Sequence, residues 1–523
     1  MRAPFDLGIL GSGFGGSLLA MIARRLGLSV LMIDKARHPR FAIGESSTPL
    51  ANLLLEELAD RYDLPMVRPL SKWGTWQDAC PEVACGLKRG FTFFHHQLGQ
   101  PWSSDGHHEM LVAASPKDHV ADTHWYRPDF DARLARAAHD MGVACLEGAV
   151  VEAVNTVAEG FRLSGKGDPG RFCHTVRSLA DASGPRGVLF RQFQLGEDPY
   201  EDLPPTQALF GHFKGVRRWD ALRNDATKPP YPVDDAAVHH LFEDGWIWVL
   251  RFNNGITSAG VASADPASYP FHEGESAWRK LLERLPSVRA QFDTATCVSP
   301  MQHMPRLAFR SRRVAGPGWA LLPSAAGVVD PLLSTGFAMN LLGISRLARL
   351  LEIDRRLGDR TGDYERSTRV ELDVTARLVS ALYASMKDFE LFAELTKLYF
   401  AAVTFTETVR RLGCPEKAGP WFLLAGHPEF RQGFQACCQS ALQVARNPDP
   451  LARKRLLERV GTSIQPFDVV GLTRHAERRH YPARTEDLLA SAPKLDAAPS
   501  DIRAMLERCG LAEPGGVRRK EVR

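Results

Sequence analysis

Apolar and polar residues recur along the chain with two different periods, and the change of period divides the sequence into a mixed N-terminal part and a helical C-terminal part. An apolar run at residues 7–10 is followed by a helix-periodic segment that ends near Leu26. A second apolar run, SVLMI, then ends at Asp34. The order strand, helix, strand predicts a βαβ unit, and therefore an α/β protein with a parallel sheet.

Two further stretches, 65–125 and 190–315, carry shorter apolar runs that are separated by turn residues. The Asn-Asn-Gly at 253–255 is one such turn between two strand-like runs. Runs of this length joined by tight turns are typical of β-strands. We predict that they form a second sheet, interleaved in sequence with the first unit.

The C-terminal part divides into a helical region and a tail. From about residue 345 to 480 the apolar positions have helical spacing. Beyond 480 the chain is rich in proline, alanine and charge, and we expect a loosely attached tail over 481–523 with one short helix at 500–509. The aromatic residues of the helical region, most of which we expect to serve helix packing, are Tyr383, Phe389, Phe392, Tyr399, Phe400, Phe405, Trp421 and Phe422.

Composition narrows the class of protein. A chain of 523 residues with 44% hydrophobic and 24% charged residues is an ordinary globular protein of two or three units. The net charge of +4 is small and dispersed, which argues against nucleic acid as the main partner. Nine cysteines without metal-ligand spacing favour free thiols in a reducing cytoplasm. No apolar run is long enough to predict a membrane span.

A glycine motif lies between the first strand and the first helix. Gly11 permits a tight turn, Gly13 lets the backbone approach a pyrophosphate, and Gly16 lets helix and strand pack closely. The helix N-terminus offers free N–H groups to phosphates, and Asp34 is placed to accept a hydrogen bond from a ribose hydroxyl. The unit predicts a dinucleotide site for FAD or NAD. Its candidate contacts are Gly11, Gly13, Phe14, Gly16, Asp34 and Lys35.

Two later segments favour FAD. Arg127 precedes an amphipathic helix, and residues 179–185 look like a buried strand that ends in a glycine turn. This order resembles FAD-dependent monooxygenase-type flavoproteins, in which such an arginine lies near the cofactor. A salt bridge that anchors the start of the helix is the alternative role of Arg127.

A third segment, 319–343, joins an apolar strand to an apolar helix through Asp330 and the tripeptide Ser334-Thr335-Gly336. A helix that begins in this way presents backbone N–H groups, which suit a flavin edge or a small anion. An ordinary N-cap is the alternative.

Four segments together resemble the flavin-dependent halogenases, the tryptophan halogenase-like family: GSGFGGS, FAIGESSTP, GLKRGFTFF and DPLLSTGF. A fifth, GWIWVLRFNNGITSAGVA, is similar to the WxWxIP region of that family. Within the family the sequence is most similar to the pyrrole-type halogenase of pyrrolnitrin biosynthesis. The segments span residues 6–343 in the family's order.

The resemblance implies a fold and a chemistry. It implies a Rossmann-like FAD-binding domain over 1–344 with the interleaved sheet on its substrate side, a helical substrate-pocket region over 345–480, and the tail. FADH2, supplied by a separate flavin reductase, would react with oxygen and convert chloride or bromide to hypohalous acid. A cytoplasmic enzyme of secondary metabolism, such as antibiotic biosynthesis, would then halogenate a small electron-rich pyrrole, phenol or aniline-like compound.

The resemblance also assigns residues. Lys88 occupies the position of the lysine that forms a haloamine or hydrogen-bonds the hypohalous acid, and Ser334 that of a serine which relays to it. The backbone of Thr335 and Gly336 would hold the halide. Trp246 and Trp248 would separate the substrate from the flavin. The further cofactor-binding candidates are Ser47, Thr48, Arg127, Asp330, Thr335 and Gly336.

Two departures from the family pattern bear on the reaction. Leu333 stands where the indole halogenases carry a glutamate, which argues against tryptophan as the substrate. Arg251 replaces the proline that follows the two tryptophans, which predicts a different end to the shielding wall. By pattern alone, Trp246 and Trp248 are equally well read as core aromatics, and Lys88 as an exposed strand-end lysine.

Three alternatives to a halogenase stay open. They are an FAD monooxygenase that hydroxylates its substrate, a non-catalytic flavin-binding protein, and a flavin reductase or saturase acting on an isoprenoid. The pairs His95-His96 and His239-His240 resemble metal ligands, but neighbours on a strand point to opposite faces, so we expect no metal. One of these histidines is a candidate general base, and the sequence does not select it.

Overall fold

The computed structural model describes residues 3–168, 170–223, 228–358, 360–474 and 476–512. The strands in this part of the chain are β1 (Phe5–Leu10), β2 (Val30–Asp34), β3 (Cys85–Lys88), β4 (Gly90–His95), β5 (Glu109–Ala113), β6 (Asp122–Trp125), β7 (Ala144–Glu147), β8 (Val150–Val157), β9 (Gly160–Gly167), β10 (Gly170–Asp181), β11 (Gln207–Lys214), β12 (Ala237–Phe242), β13 (Gly245–Arg251), β14 (Thr257–Ser263), β15 (Thr296–Cys297), β16 (Gln302–Met304), β17 (Phe309–Arg310), β18 (Ala315–Gly316), β19 (Trp319–Leu321), β20 (Gly327–Val328) and β21 (His480–Tyr481). The α-helices are α1 (Phe14–Arg25), α2 (Pro49–Arg61), α3 (Trp73–Ala79), α4 (Arg127–Asp140), α5 (Val188–Gln192), α6 (Glu275–Glu283), α7 (Pro286–Phe292), α8 (Pro323–Ala326), α9 (Thr335–Asp354), α10 (Thr361–Ala384), α11 (Phe389–Arg411), α12 (Pro428–Arg446), α13 (Pro450–Ile464), α14 (Thr485–Ala490), α15 (Ala492–Leu495) and α16 (Pro499–Arg508).

The first sheet is built around the predicted βαβ unit. Its strand order is β18-β19-β10-β1-β2-β7, and β1 runs parallel to both β2 and β10. All five residues of β2 are buried, as expected of an interior strand covered on both faces. The carboxyl ends of β1, β2 and β10 therefore meet at one edge, where a ligand of an open parallel sheet binds. The predicted α/β class is confirmed.

The second sheet has nine strands drawn from distant parts of the chain, in the order β15-β11-β14-β13-β12-β4-β5-β21, with β16 also paired to β11. Both of its faces are buried. Phe93 and Trp246 face the core shared with the first sheet. Ile247 and Val249 face a smaller core that α6 and α7 cover. Side chains alternate between the two faces of β13, so only every second residue of this strand faces the first sheet.

The two stretches predicted to be β-rich also contain helices. Residues 73–79 form α3, and 275–292 form α6 and α7. The prediction missed them because each is short and takes most of its burial from tertiary packing rather than from a long periodic pattern. The predicted strand–turn–strand around Asn253-Asn254-Gly255 is present as β13 and β14.

The C-terminal part is helical from α9 to α13, as predicted, and one helix beyond 480 was also predicted. The prediction of a loosely attached tail is wrong for residues 481–512. They form α14, α15 and α16, whose apolar side chains Leu495, Ile502 and Leu506 are buried. An amphipathic helix of ten residues buries enough apolar surface to hold this segment against the core despite its charged composition. Residues 513–523 lie outside the described residues.

Two general findings complete the fold. Among the helices of the described residues, none is both long and apolar enough to cross a bilayer. All nine cysteines lie within the described ranges and are free thiols, and the adjacent Cys437 and Cys438 are both buried on α12.

Candidate active site

The turn between β1 and α1 depends on glycine. Gly11 has φ of +105°, and a Cβ there would lie 2.6 Å from the carbonyl oxygen of Ala182 at the end of β10. A Cβ on Gly16 would collide with the carbonyl oxygen of Gly11. Both positions therefore exclude larger residues, which is the role that the sequence predicted for them.

Glycines at two neighbouring helix N-termini leave room beside the backbone. A Cβ added at Gly13 would meet only side-chain atoms, the nearest at 3.5 Å, and one added at Gly336, the second residue of α9, would have nothing within 4 Å. Phe14 and Phe337 pack edge to face at 5.1 Å, which brings the starts of α1 and α9 together. Two glycine-opened helix ends side by side fit a dinucleotide cofactor with anionic phosphates and a flat ring.

Asp34, at the end of β2, accepts hydrogen bonds that hold the glycine turn in place. Its Oδ2 accepts hydrogen bonds from the backbone N–H of Ser12 at 2.8 Å and from Arg40 at 3.2 Å, and its Oδ1 accepts from the backbone N–H of Ala36. Burial opposes ionisation, but these donors outweigh it and lower the pKa of Asp34. The carboxylate is thus charged at the predicted place. Lys35 beside it is exposed.

The contacts of Arg127 agree with both roles that the sequence left open, a salt bridge at the start of the helix and a position near the cofactor. Its guanidinium makes a bidentate ion pair with Asp131 one turn later on α4, at 2.7 and 2.8 Å, and donates to the carbonyl oxygens of Ile43 and Gly44. The salt bridge anchors the start of the helix. The same guanidinium lies 5.1 Å from the ring centroid of Phe14, at the mouth of the predicted cofactor site.

The segment FAIGESSTP packs over this mouth. Ser47 donates its hydroxyl hydrogen bond to the carbonyl oxygen of Thr123 at 2.7 Å, and Thr48 caps α2 by accepting from the N–H of Ala51. Glu45 and His212 form a buried contact of 2.7 Å that the sequence did not indicate. The hydroxyl groups of Ser47 and Thr48 therefore hold the loop in place, and a contact with a flavin stays a prediction.

Lys88 is completely buried, so the structure excludes the exposed strand-end alternative. Its Nζ donates to the hydroxyl of Ser46 at 2.8 Å and to the carbonyl oxygen of Ser47, and it lies 3.8 Å from the ring centroid of Phe91. Burial lowers the pKa of Lys88, and the carboxyl of Asp122 acts in the opposite direction. A buried amine with a lowered pKa is available in its neutral, nucleophilic form.

The structure adds two polar partners near Lys88 that sequence reasoning missed. Asp122 is directly across the β3–β6 ladder from Lys88, and its Oδ1 accepts a hydrogen bond from Asn52 at 3.0 Å. Burial raises the pKa of Asp122. Ser46 supplies the serine hydroxyl that Lys88 contacts, and the relay role of Ser334 stays a prediction. The doublet Ser46-Ser47 was visible in the sequence, but only the fold brings it to the lysine.

The predicted tryptophan pair lies on one face of β13. The ring centroids of Trp246 and Trp248 are 5.6 Å apart, and both residues are buried. Trp248 is paired with Gly260 on the neighbouring strand β14, and its indole ring covers that glycine. A Cβ on Gly260 would therefore collide with the ring. The two indoles therefore form a continuous aromatic surface on the face of the second sheet that looks toward the first.

A hydrogen-bond chain ties this surface to the loop before α9. The indole N–H of Trp246 donates to the Tyr383 hydroxyl at 3.2 Å, and that hydroxyl donates to Asp330 Oδ2 at 2.9 Å. Asp330 Oδ1 accepts from the backbone N–H of Leu332. Asp330, predicted to contact the cofactor, thus has both carboxyl oxygens bonded within the protein.

The loop from Leu332 to Ser334 has an unusual backbone. Leu333 and Ser334 have φ of +65° and +55°, a region that non-glycine residues occupy only when the surroundings hold them there. Ser334 starts α9 without a side-chain capping bond, which counts against an ordinary N-cap. No side-chain cap occupies the start of α9, and the space beside Gly336 is open, so a small ligand has room there.

Arg251 does not alter the tryptophan surface. Residues 246, 248 and 250 share one face of β13, and Arg251 lies on the other. Its guanidinium pairs with Asp234 at 2.8 Å and donates to the carbonyl oxygens of Val216 and Arg217. Arginine in place of proline at this position therefore does not change the aromatic surface formed by Trp246 and Trp248.

The four candidate histidines separate into different surroundings. His95 stacks on Phe389, and His96 and His240 bond to each other at 3.0 Å. His239 faces the Lys88 side, stacked on Phe93 with centroids 4.6 Å apart and 5.2 Å from Trp246. No group of three or more metal-ligating side chains occurs in the part of the chain that the structure covers.

We expect Asp330 to make stability depend on pH. Burial raises the pKa of its carboxyl to about 7 from 3.8, with bonds from Leu332 and Tyr383 acting against this rise. Between these two values only the unfolded chain releases the proton, so the free energy of unfolding falls as the pH rises, by about 4 kcal/mol in all. Asp330→Asn, which mimics the protonated form, should remove that contribution. Unfolding midpoints from pH 4 to 8 measure it, and an unchanged slope would contradict the assignment.

Comparison with known proteins points to one family. The model of the tryptophan halogenase family matches residues 122–392. Monodechloroaminopyrrolnitrin halogenase PrnC of Pseudomonas fluorescens is 31% identical over 408 residues, covering 76% of this chain and 70% of the relative. Tetracycline 7-halogenase of Kitasatospora aureofaciens is 30% identical over 423 residues, covering 76% and 73%. The crystal structure of halogenase PltM in complex with phloroglucinol and FAD has a TM-score of 0.82 at 25% identity, covering 91% and 99%.

Proposed function

Because the chain belongs to the tryptophan halogenase family of flavin-dependent halogenases, we propose that it transfers halogen through Lys88 to a free, electron-rich aromatic metabolite. FAD-dependent halogenation and the Rossmann-type FAD-binding fold follow from the relatives. The observation that carries the role of Lys88 is its burial: a fully buried lysine amine against the Phe91 ring, with a lowered pKa, is placed for chemistry rather than for solvation.

The proposed substrate is an electron-rich pyrrole, phenol or aniline-like ring. One side of the Lys88 amine is aromatic: the Phe91 ring lies against it. Phe93 and His239 from the sheet, and Phe400 from α11, whose ring lies 5.3 Å from that of Phe91, pack around Phe91. Such a surface suits a flat neutral ring. Leu333 supplies no carboxylate, so recognition of a charged amino acid such as tryptophan is disfavoured.

The relatives support a free substrate rather than one attached to a carrier protein. PrnC and tetracycline 7-halogenase are named for free small molecules. The 1H-pyrrole-2-carbonyl-[peptidyl-carrier protein] brominase of Pseudoalteromonas luteoviolacea matches at 28% over 64% of this chain. We therefore propose a free small aromatic molecule, rather than a carrier-bound one, as the substrate of this chain.

The residues of the protein separate a cofactor and halide site from a substrate site at Lys88. Reduced FAD and oxygen, when bound, convert chloride or bromide to hypohalous acid. The glycine turn at Gly11–Gly16 and the start of α9 would hold the cofactor, with the N–H groups of Thr335 and Gly336 for the halide. Trp246 and Trp248 keep the substrate ring away from that side. Lys88 captures the oxidised halogen, as a haloamine or by a hydrogen bond, and presents it to the ring.

Two further expectations accompany the proposal. Free thiols throughout the described chain are what a reducing cytoplasm maintains, so we propose that compartment. We also propose a separate flavin reductase as a transient partner, because the cofactor has to arrive reduced.

The product mass tests the proposal directly. We expect the purified protein, with FADH2, oxygen and bromide, to convert 2-phenylpyrrole or phloroglucinol to a product heavier by one bromine less one hydrogen. The retained tryptophan wall is the reason to expect halogen rather than oxygen in the product. Omitting bromide and chloride should abolish the product. A halide-independent product heavier by one oxygen would instead establish the monooxygenase alternative.

A further inference from the structure

Halogenation of an aromatic ring also needs a base, because the ring carbon that gains halogen must lose its proton. Leu333 provides no carboxylate for this step. Both carboxyl oxygens of Asp330 are bonded within the protein. Asp122 has one oxygen bonded to Asn52, and burial raises the pKa of its carboxyl, which favours the protonated form that cannot accept a proton. A neutral imidazole near Lys88 is the alternative acceptor.

His239 is held in a single tautomer. Its Nδ1 lies 2.9 Å from the carbonyl oxygen of Ala237 and 3.3 Å from that of Thr92. Carbonyl oxygens only accept, so Nδ1 carries the proton and Nε2 has a free lone pair. No residue of the described chain forms a hydrogen bond to Nε2. Burial and the nearby Lys88 lower the pKa of His239 to about 3, which keeps the ring neutral at pH 7.

His239 also lies on the same aromatic floor as Lys88. The Lys88 amine is 3.8 Å from the ring centroid of Phe91, and the imidazole of His239 stacks on that ring at 5.8 Å and on Phe93 at 4.6 Å. Trp246 closes the other side of the imidazole. A flat substrate that reaches the Lys88 amine in this enclosure meets the imidazole edge as well.

We propose that Nε2 of His239 is the catalytic base that removes the proton from the halogenated ring carbon. This inference rests on the proposed function. A carbon–halogen bond forms as the bond between halogen and the Lys88 nitrogen, or the oxygen of hypohalous acid held there, breaks. The ring C–H bond then breaks, its electron pair restores aromaticity, and the proton moves to Nε2. The imidazolium passes it to the nitrogen or oxygen that released the halogen, so no other reactant is consumed.

His239→Asn is the sharpest variant, because the asparagine amide still donates to the carbonyl of Ala237 while the Nε2 lone pair is lost. We expect single-turnover bromination of 2-phenylpyrrole to slow by about 10²-fold, the low end for loss of a general base. Trapping assays should show hypohalous acid formed at the unchanged rate. With 2-phenylpyrrole deuterated on the pyrrole carbons, a primary isotope effect should appear in the variant, because deprotonation becomes rate-limiting.

Three further variants separate this role from packing. His240→Asn changes the neighbouring histidine on the opposite face, bonded to His96 and Gln291, and should give neither effect. His239→Phe keeps an aromatic ring in the stack and should reproduce the slow, isotope-sensitive reaction if the asparagine variant does not fold. His124, also near Lys88, bonds through Nε2 to Ala236, and His124→Gln should leave the isotope effect absent.

The outcomes are distinct. Bromination at the wild-type rate in His239→Asn or His239→Phe, a slow reaction without an isotope effect, or an isotope effect in His124→Gln would each overturn the assignment of His239 and leave the halogenase proposal intact. Absence of brominated product from the wild-type protein would instead count against the proposed substrate class.

Discussion

Replacing Lys88 by methionine should reduce arene halogenation by on the order of 10²–10³-fold, the scale of losing one preorganised donor at a reacting centre. The variant should still bind FAD and still produce hypohalous acid, because Lys88 lies on β3 and contacts no residue of the glycine turn. Methionine fills a similar volume in the aromatic enclosure. Product mass measures the first quantity, and a small-molecule halogen trap measures the second.

The control for this prediction is another buried lysine. Lys397 on α11 is 6% exposed, but its amine pairs with Glu394 at 2.6 Å. Lys397→Met should lose some stability from the unpaired carboxylate and retain the ratio of halogenated product to hypohalous acid. Full halogenation by Lys88→Met, or an equal loss of product and hypohalous acid, would remove the assigned role.

Gly13→Ala should weaken FAD binding by roughly 10- to 100-fold while leaving the fold intact. The backbone of Gly13 has φ of −65° and ψ of 176°, which alanine adopts without strain. The nearest atoms to the new methyl group would be at 3.5 Å, an ordinary contact. Its only new clash would be with a pyrophosphate against the backbone, and overpacking of this kind costs about 1–3 kcal/mol. Titration of FAD by fluorescence gives the affinity.

A matched glycine on a helix far from this turn serves as the control. Gly461 on α13 also has room for a methyl group, because a Cβ added there would have nothing within 4 Å. Gly461→Ala should stabilise its helix by up to about 1 kcal/mol and leave FAD affinity unchanged. Unaltered FAD affinity in Gly13→Ala would mean that the cofactor does not approach the backbone there.

Local pattern was sufficient for the elements that make the cofactor site. The apolar runs, the glycine spacing and the terminal acid of residues 6–34 correctly predicted β1, α1 and β2, because each signal depends on residues only a few positions apart. The tail after 480 was wrongly predicted since its composition is polar, whereas the burial of Leu495 and Ile502 depends on a core formed elsewhere.

What the sequence determined by itself was therefore the dinucleotide unit, the family resemblance and the position of Lys88. Only the tertiary structure decided that Lys88 is a buried amine bonded to Ser46, 42 residues away, and that Trp246 is tied to Tyr383, 137 residues away. It also brought His239, one of four candidate histidines, beside β4 and against the Phe91 ring. Burial and hydrogen-bond partners come from segments that meet only on folding, and they set the pKa and the free lone pairs on which the chemistry depends.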